Sequence, residues 1–146
     1  MLLYLDTSAL TKLVFNEKET PHLRRWMAGH ADDRLVSSAI TRTELRRAIL
    51  RFAQRPGVDE LQTRDAVLAC TRLLRQVDHV RVTYSILDRA ALEPPAFLRS
   101  LDAIHLTTAA GFRSELRALV AYDNRLLQAA RDIGMAIAAP GADTPR

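Results

Sequence analysis

Short apolar runs alternate with longer stretches of helical periodicity along the 146-residue chain. Leu2 to Leu5 is an apolar run closed by Asp6-Thr7-Ser8, which predicts a strand followed by helix-start residues. Ala9 to Phe15 then predicts a short helix, and Glu17 to Ala28 a second amphipathic one with Leu23, Trp26 and Met27 on one side and Gly29 closing it. Leu35-Val36 predicts a strand, followed by a helix from about Thr41 to Gln54 that Pro56-Gly57 breaks, and another from about Val58 to Arg75. Val80-Arg81-Val82 alternates as a strand does. Helices follow over about Ser85 to Ala91 and Ser100 to Phe112, separated by Pro94-Pro95. Leu119-Val120-Ala121 predicts a strand, Asn124 to Ile133 a helix closed by Gly134, and Ala136 to Ala138 a last strand. Alternation of this kind argues for an α/β fold, a mostly parallel central sheet with helices on both faces. We expect one domain over residues 1–139 and a disordered tail over 140–146.

Composition narrows the class without naming a chemistry. With 48% hydrophobic and 26% charged residues the chain reads as one globular domain able to bury its own core. The single cysteine, Cys70, fits a reducing compartment, and no signal peptide or membrane span is expected, which points to the cytoplasm. Net charge is +4, and the cations are almost all arginine, with lysine only at Lys12 and Lys18. Arginine forks suit phosphate, but GC-rich codon usage explains the same bias, so charge alone leaves nucleic-acid contact open.

In an open parallel sheet, ligands bind beyond the carboxyl ends of the strands. Asp6 and Asp123 stand just after predicted strands, Glu44 lies one turn inside the helix after the second strand, and Asp102 opens the helix at Ser100. Each has a purely structural explanation: Asp6 and Asp123 as helix caps, Thr41-Arg42-Thr43-Glu44 as a capping box, and Asp102 as a first-turn acid behind a Ser100 cap. Their conjunction at one sheet edge argues against that. Clustered carboxylates persist near neutral pH only if some stay protonated or a cation sits among them. All-oxygen ligands point to Mg²⁺ or Mn²⁺, which can assist phosphodiester hydrolysis. A dehalogenase-type phosphatase needs an acid where Ser8 stands, a receiver domain needs a late lysine, and no glycine-rich nucleotide loop is present. His105, one turn beyond Asp102, reads more readily as a partner or supporting residue than as a ligand or base.

Four stretches taken in order carry a family likeness: Leu5-Asp6-Thr7-Ser8-Ala9-Leu10, Ser37 to Leu45, Ser100-Leu101-Asp102-Ala103-Ile104-His105-Leu106, and Ala121-Tyr122-Asp123-Asn124-Arg125-Leu126 with Ala129-Ala130. Together they span nearly the whole chain, which resembles the PIN-domain ribonucleases, and specifically the VapC-type toxins of bacterial toxin–antitoxin pairs. The resemblance implies that Asp6, Glu44, Asp102 and Asp123 form an acidic pocket for one or two divalent ions and that the Ser8 hydroxyl supports Asp6. Ala121 departs from the pattern, since relatives often carry threonine before the Tyr-Asp pair. The resemblance further implies an Mg²⁺-dependent endoribonuclease acting on an RNA substrate such as tRNA or rRNA, a homodimer, and a cognate VapB-type antitoxin that blocks the pocket. Asp6, Asp102 and Asp123 would be ligands, Glu44 a ligand through water or an orienter of the attacking water, and arginines near the rim would position phosphates. Phe15, Leu23 and Trp26 would line an apolar groove between the first two helices. A catalytically idle nucleic-acid- or partner-binding domain and a DNA-directed structure-specific nuclease are the alternatives.

Overall fold

The hydrophobic alternation of the first strand divides the core between two layers of helices. In the computed structural model, which describes residues 1–142, β1 (Leu2–Leu5) turns Leu2 and Tyr4 to one side of a sheet and Leu5 to the other. It is followed by α1 (Thr7–Phe15), α2 (Thr20–Ala28), β2 (Arg34–Ser38), α3 (Thr41–Ala53), α4 (Glu60–Gln76) and β3 (Asp78–Val80). The chain continues through α5 (Tyr84–Ala90), α6 (Ser100–Ala110), β4 (Leu116–Val120), α7 (Asn124–Asp132) and β5 (Ile137–Ala138). Residues of α1 to α4 pack with Leu5 and Val120 on one face, including Leu10, Leu23, Leu45, Ile49 and Leu73. Those of α6 and α7 pack with Leu2, Tyr4 and Leu119 on the other, including Leu106, Leu126 and Ala130. Strands buried on both faces lose their polar alternation, which is why β1 is wholly apolar.

The sheet is parallel throughout, in the order β3-β2-β1-β4-β5. The chain winds outward from β1 to β3, then crosses back to lay β4 on the other side of β1. The crevice where strand order reverses therefore lies between the carboxyl ends of β1 and β4, at Leu5 and Val120, which are paired in register. Helices that cross between parallel strands run back antiparallel to them, so α1, α3, α6 and α7 all begin at that carboxyl edge.

Local chemistry moved several boundaries. Helix α1 starts two residues earlier than the apolar pattern suggests, because the Asp6 carboxylate accepts from the Ser8 N–H and caps it. Helix α4 starts at Glu60, set by a capping box of Asp59 with Gln62. Strand β3 lies two residues early, where Asp78 to Val80 pairs with Val36 to Ser38. The capping box expected at Thr41–Glu44 does not form. Helix α3 is preceded by Ile40 in helical conformation with no side-chain cap, and the Thr41 hydroxyl lies 2.7 Å from that of Ser37 instead. Of the tail expected from residue 140, the Pro140 carbonyl accepts from the Tyr122 hydroxyl at 2.8 Å and the Ala142 N–H donates to the Ala139 carbonyl; residues 143–146 lie outside the described residues.

The Asp59 box gives the fold a test. Asp59→Ala leaves the first-turn N–H groups of α4 uncapped and is expected to cost about 1 kcal/mol, roughly 3–5 °C in Tm by calorimetry. An unchanged melt would show that α4 is held by packing alone.

Candidate functional site

Four acids meet the carboxyl edge of the sheet, each at the start of a helix. Asp6 caps α1 and Asp123 caps α7, its Oδ1 accepting from the N–H groups of Arg125 at 2.8 Å and Leu126 at 3.1 Å. Asp102 and Glu44 lie in the first turns of α6 and α3. The positive ends of four helix dipoles thus converge where the carboxylates sit, which offsets part of their mutual repulsion.

Capping accounts for Asp6 and Asp123 only in part, and for Asp102 not at all. Helix α6 has no side-chain cap from Arg99 or Ser100. Asp102 Oδ2 is buried and has no hydrogen-bond partner among the described residues. Burial, followed by the negative charges of Asp123 and Asp6, pushes its pKa up to about 6. The three aspartates therefore share one electrostatic environment, with an orphaned oxygen inside it.

Ser8 ties two strand ends together. Its hydroxyl donates to Asp6 Oδ2 at 2.5 Å and accepts from the Tyr122 N–H at 2.9 Å, so one side chain orients the acid after β1 against the backbone that leads from β4 to Asp123. Ala121 is fully buried, leaving no hydroxyl at that point.

Glu44 is held by a polar chain that also approaches Asp6. Thr7 donates to its Oε1 at 2.7 Å, and His105 Nε2 lies 2.8 Å from the same oxygen. His105 Nδ1 lies 2.8 Å from the Tyr4 hydroxyl, and Nε2 is 3.5 Å from Asp6 Oδ1. The histidine is fully buried, and burial alone would lower its pKa. The hydrogen bond to Glu44 and the charges of Asp6, Glu44 and Asp102 outweigh that and raise it. Burial likewise works against the charged Glu44, but His105 and Thr7 hold its carboxyl below the usual range. His105 is thus the bridge between Tyr4 in the core, the buried Asp6 and the half-buried Glu44. The partner role expected of His105 is what the structure shows; the signal for its other partner is a tyrosine inside a buried strand, since a buried phenol needs a hydrogen bond.

The expected apolar groove of Phe15, Leu23 and Trp26 is not there. Leu23 is fully buried in the core, Trp26 lies against His30 at 4.3 Å between ring centroids, and Phe15 packs on Phe52 at 4.8 Å. Helical spacing could not distinguish core from surface at these positions.

A PIN domain family model matches residues 3–132. The chain belongs to the PIN-domain family, among the VapC ribonucleases. It is 43% identical over 144 residues to Ribonuclease VapC47 of Mycobacterium tuberculosis, covering 97% of this chain and 98% of that protein. Identity is 39% over 142 residues to Ribonuclease VapC35 of the same organism, covering 96% and 98%. The crystal structure of Mycobacterium tuberculosis VapC20, a sarcin-ricin loop cleaving toxin, shares the fold with a TM-score of 0.57 at 20% identity, over 87% of this chain and 94% of that one.

As they stand, no three acidic, histidine or cysteine side chains among the described residues are close enough to cage an ion. The donor chemistry of this PIN domain nevertheless fits a hard cation: oxygen donors only, a raised Asp102, and a buried carboxylate oxygen with nothing to bond. That raised pKa fixes the sign of a pH effect. Asp102 loses its proton at a higher pH folded than unfolded, so its charge destabilises the fold progressively from 3.8, the ordinary value, to about 6, and fully above that. In EDTA, Asp102→Asn is expected to melt higher than the parent above about pH 6, with the difference closing as pH falls toward 3.8. A variant that melts lower throughout would mark Asp102 as a stabilising first-turn acid.

Proposed function

We propose that this PIN domain is a metal-dependent endoribonuclease toxin of a VapBC-type pair. The observation that carries the reading is the orphaned, charge-crowded Asp102 beside Asp6 and Asp123 at the strand-order crevice. Asp6, Asp102 and Asp123 would hold Mg²⁺, or Mn²⁺ in its place. Such an ion supplies positive charge against the phosphodiester and makes water a better nucleophile. Ser8 keeps Asp6 turned into the crevice, and Thr7 and His105 leave Glu44 one fixed orientation from which to direct water or reach the ion through one. The names of the mycobacterial relatives support RNA as substrate, and the sarcin-ricin loop cleavage ascribed to VapC20 supports toxicity through RNA of the translation apparatus. A homodimer, a cytoplasmic setting and silencing by a VapB-type antitoxin over the acidic crevice belong to the same proposal. Among the described residues no helix is long and apolar enough to cross a membrane.

Asparagine caps helices as well as aspartate does, which separates the two explanations of the acids. Asp6→Asn, Asp102→Asn, Asp123→Asn and Glu44→Gln are each expected to abolish growth inhibition on expression and RNA cleavage in Mg²⁺. Ser8→Ala is expected to raise the Mg²⁺ requirement on the order of 10–100-fold. The parent should stop cutting in EDTA. Toxicity retained in all four acid variants would leave a catalytically idle binding domain.

A further inference from the structure

A groove of about 720 Å³ opens from Glu44 and Thr7 and runs between α1 and α3, away from the three aspartates. Its α3 wall carries Arg47, Arg51 and Arg55, spaced four residues apart, and its α1 wall carries Thr11 and Phe15. Side chains at that spacing share one helix face, and each step advances about 6 Å along the axis. Arg55 lies just past the helix end and is kept in line by a turn in which its N–H donates to the Phe52 carbonyl at 3.0 Å. All three arginines are exposed, and none has an ion-pair partner among the described residues. Apart from Glu44, the acid on the groove is Glu17, whose charge is already met by Lys12 at 2.9 Å. The Phe52 ring is 4.8 Å from the Phe15 ring and 5.8 Å from the Arg55 guanidinium.

We infer that this groove is the track for the sugar-phosphate backbone of a single-stranded RNA segment, which rests on the ribonuclease reading and names where its substrate lies. A row of unpaired guanidiniums at a regular step matches a strand whose charges also repeat at a regular step. One row serves one strand. Guanidiniums bind phosphate oxygens through paired N–H donors, and an aromatic ring beside one of them offers an unpaired base a stacking surface, which an acidic peptide does not need. The strand enters past Arg55, follows Arg51 and Arg47, and delivers a phosphodiester to the end of the groove where Glu44 stands.

The test reads binding without cleavage. A fluorescently labelled single-stranded RNA is titrated with the full-length protein in EDTA at several salt concentrations. Each of Arg47→Ala, Arg51→Ala and Arg55→Ala is expected to weaken binding and to reduce the slope of log K against log salt by about 0.7, and the triple variant by about 2. The triple Arg→Lys variant keeps the charges and is expected to keep the slope, which also guards against an alanine triple that fails to fold. Arg131→Ala, on α7 and outside the groove, is expected to change nothing. A slope unchanged in the alanine variants, an equal loss in Arg131→Ala, or equal arginine dependence with an RNA duplex overturns the track. So does loss of polyglutamate binding in the triple variant with RNA binding intact. Arginine-dependent binding without Mg²⁺-dependent cleavage would overturn the enzymatic reading and leave the track standing, whereas cleavage with arginine-independent binding would do the reverse.

Discussion

Negative charge confined at the carboxyl edge of β1 and β4 is the constraint around which the surrounding polar chemistry is arranged. Carboxylates taken partly out of water repel one another and lose hydration, so each needs compensation from the fold. Asp6 has it from the Ser8 hydroxyl and from the start of α1, Asp123 from two N–H groups of α7, and Glu44 from Thr7 and His105. Asp102 has the least, and its raised pKa is the measure of that. A site in which one acid is compensated less than the other three favours an added positive charge.

The parallel topology is what makes the crowding unavoidable. Every crossover helix starts at the same edge, so residues that open helices far apart in sequence come together. The same geometry lets helix capping and the proposed role of these acids coexist. Asp6 and Asp123 do cap helices, and the caps fix both carboxylates at the carboxyl edge of the sheet. Tyr4 and His105 then couple this edge to the core, since the imidazole bonds a buried phenol through one nitrogen and the half-buried Glu44 carboxylate through the other.

The polar surface continues the logic outward. Glu44 belongs to both the hydrogen-bonded chain of His105 and the groove lined by Arg47, Arg51 and Arg55, so α3 carries an acid at the crevice and cations leading away from it. Opposite charges on one helix face are separated by length along the axis, which lets one element present both.

The strand at Leu2–Leu5, the alternation of strands and helices, and the positions of Asp6, Glu44, Asp102 and Asp123 were legible in the sequence, because burial on both faces of a parallel sheet leaves continuous apolar runs and acids stand out at their ends. The tertiary structure alone decided what those acids touch. Thr41 and Glu44 match a capping box in spacing, but Ser37 and His105, brought in by β2 and α6, offer better partners than the helix backbone. Leu23 and Phe15 carry the same helical pattern, yet one is core and the other edges a groove. Periodicity records which residues share a face; only the packing of one element on another determines what that face meets.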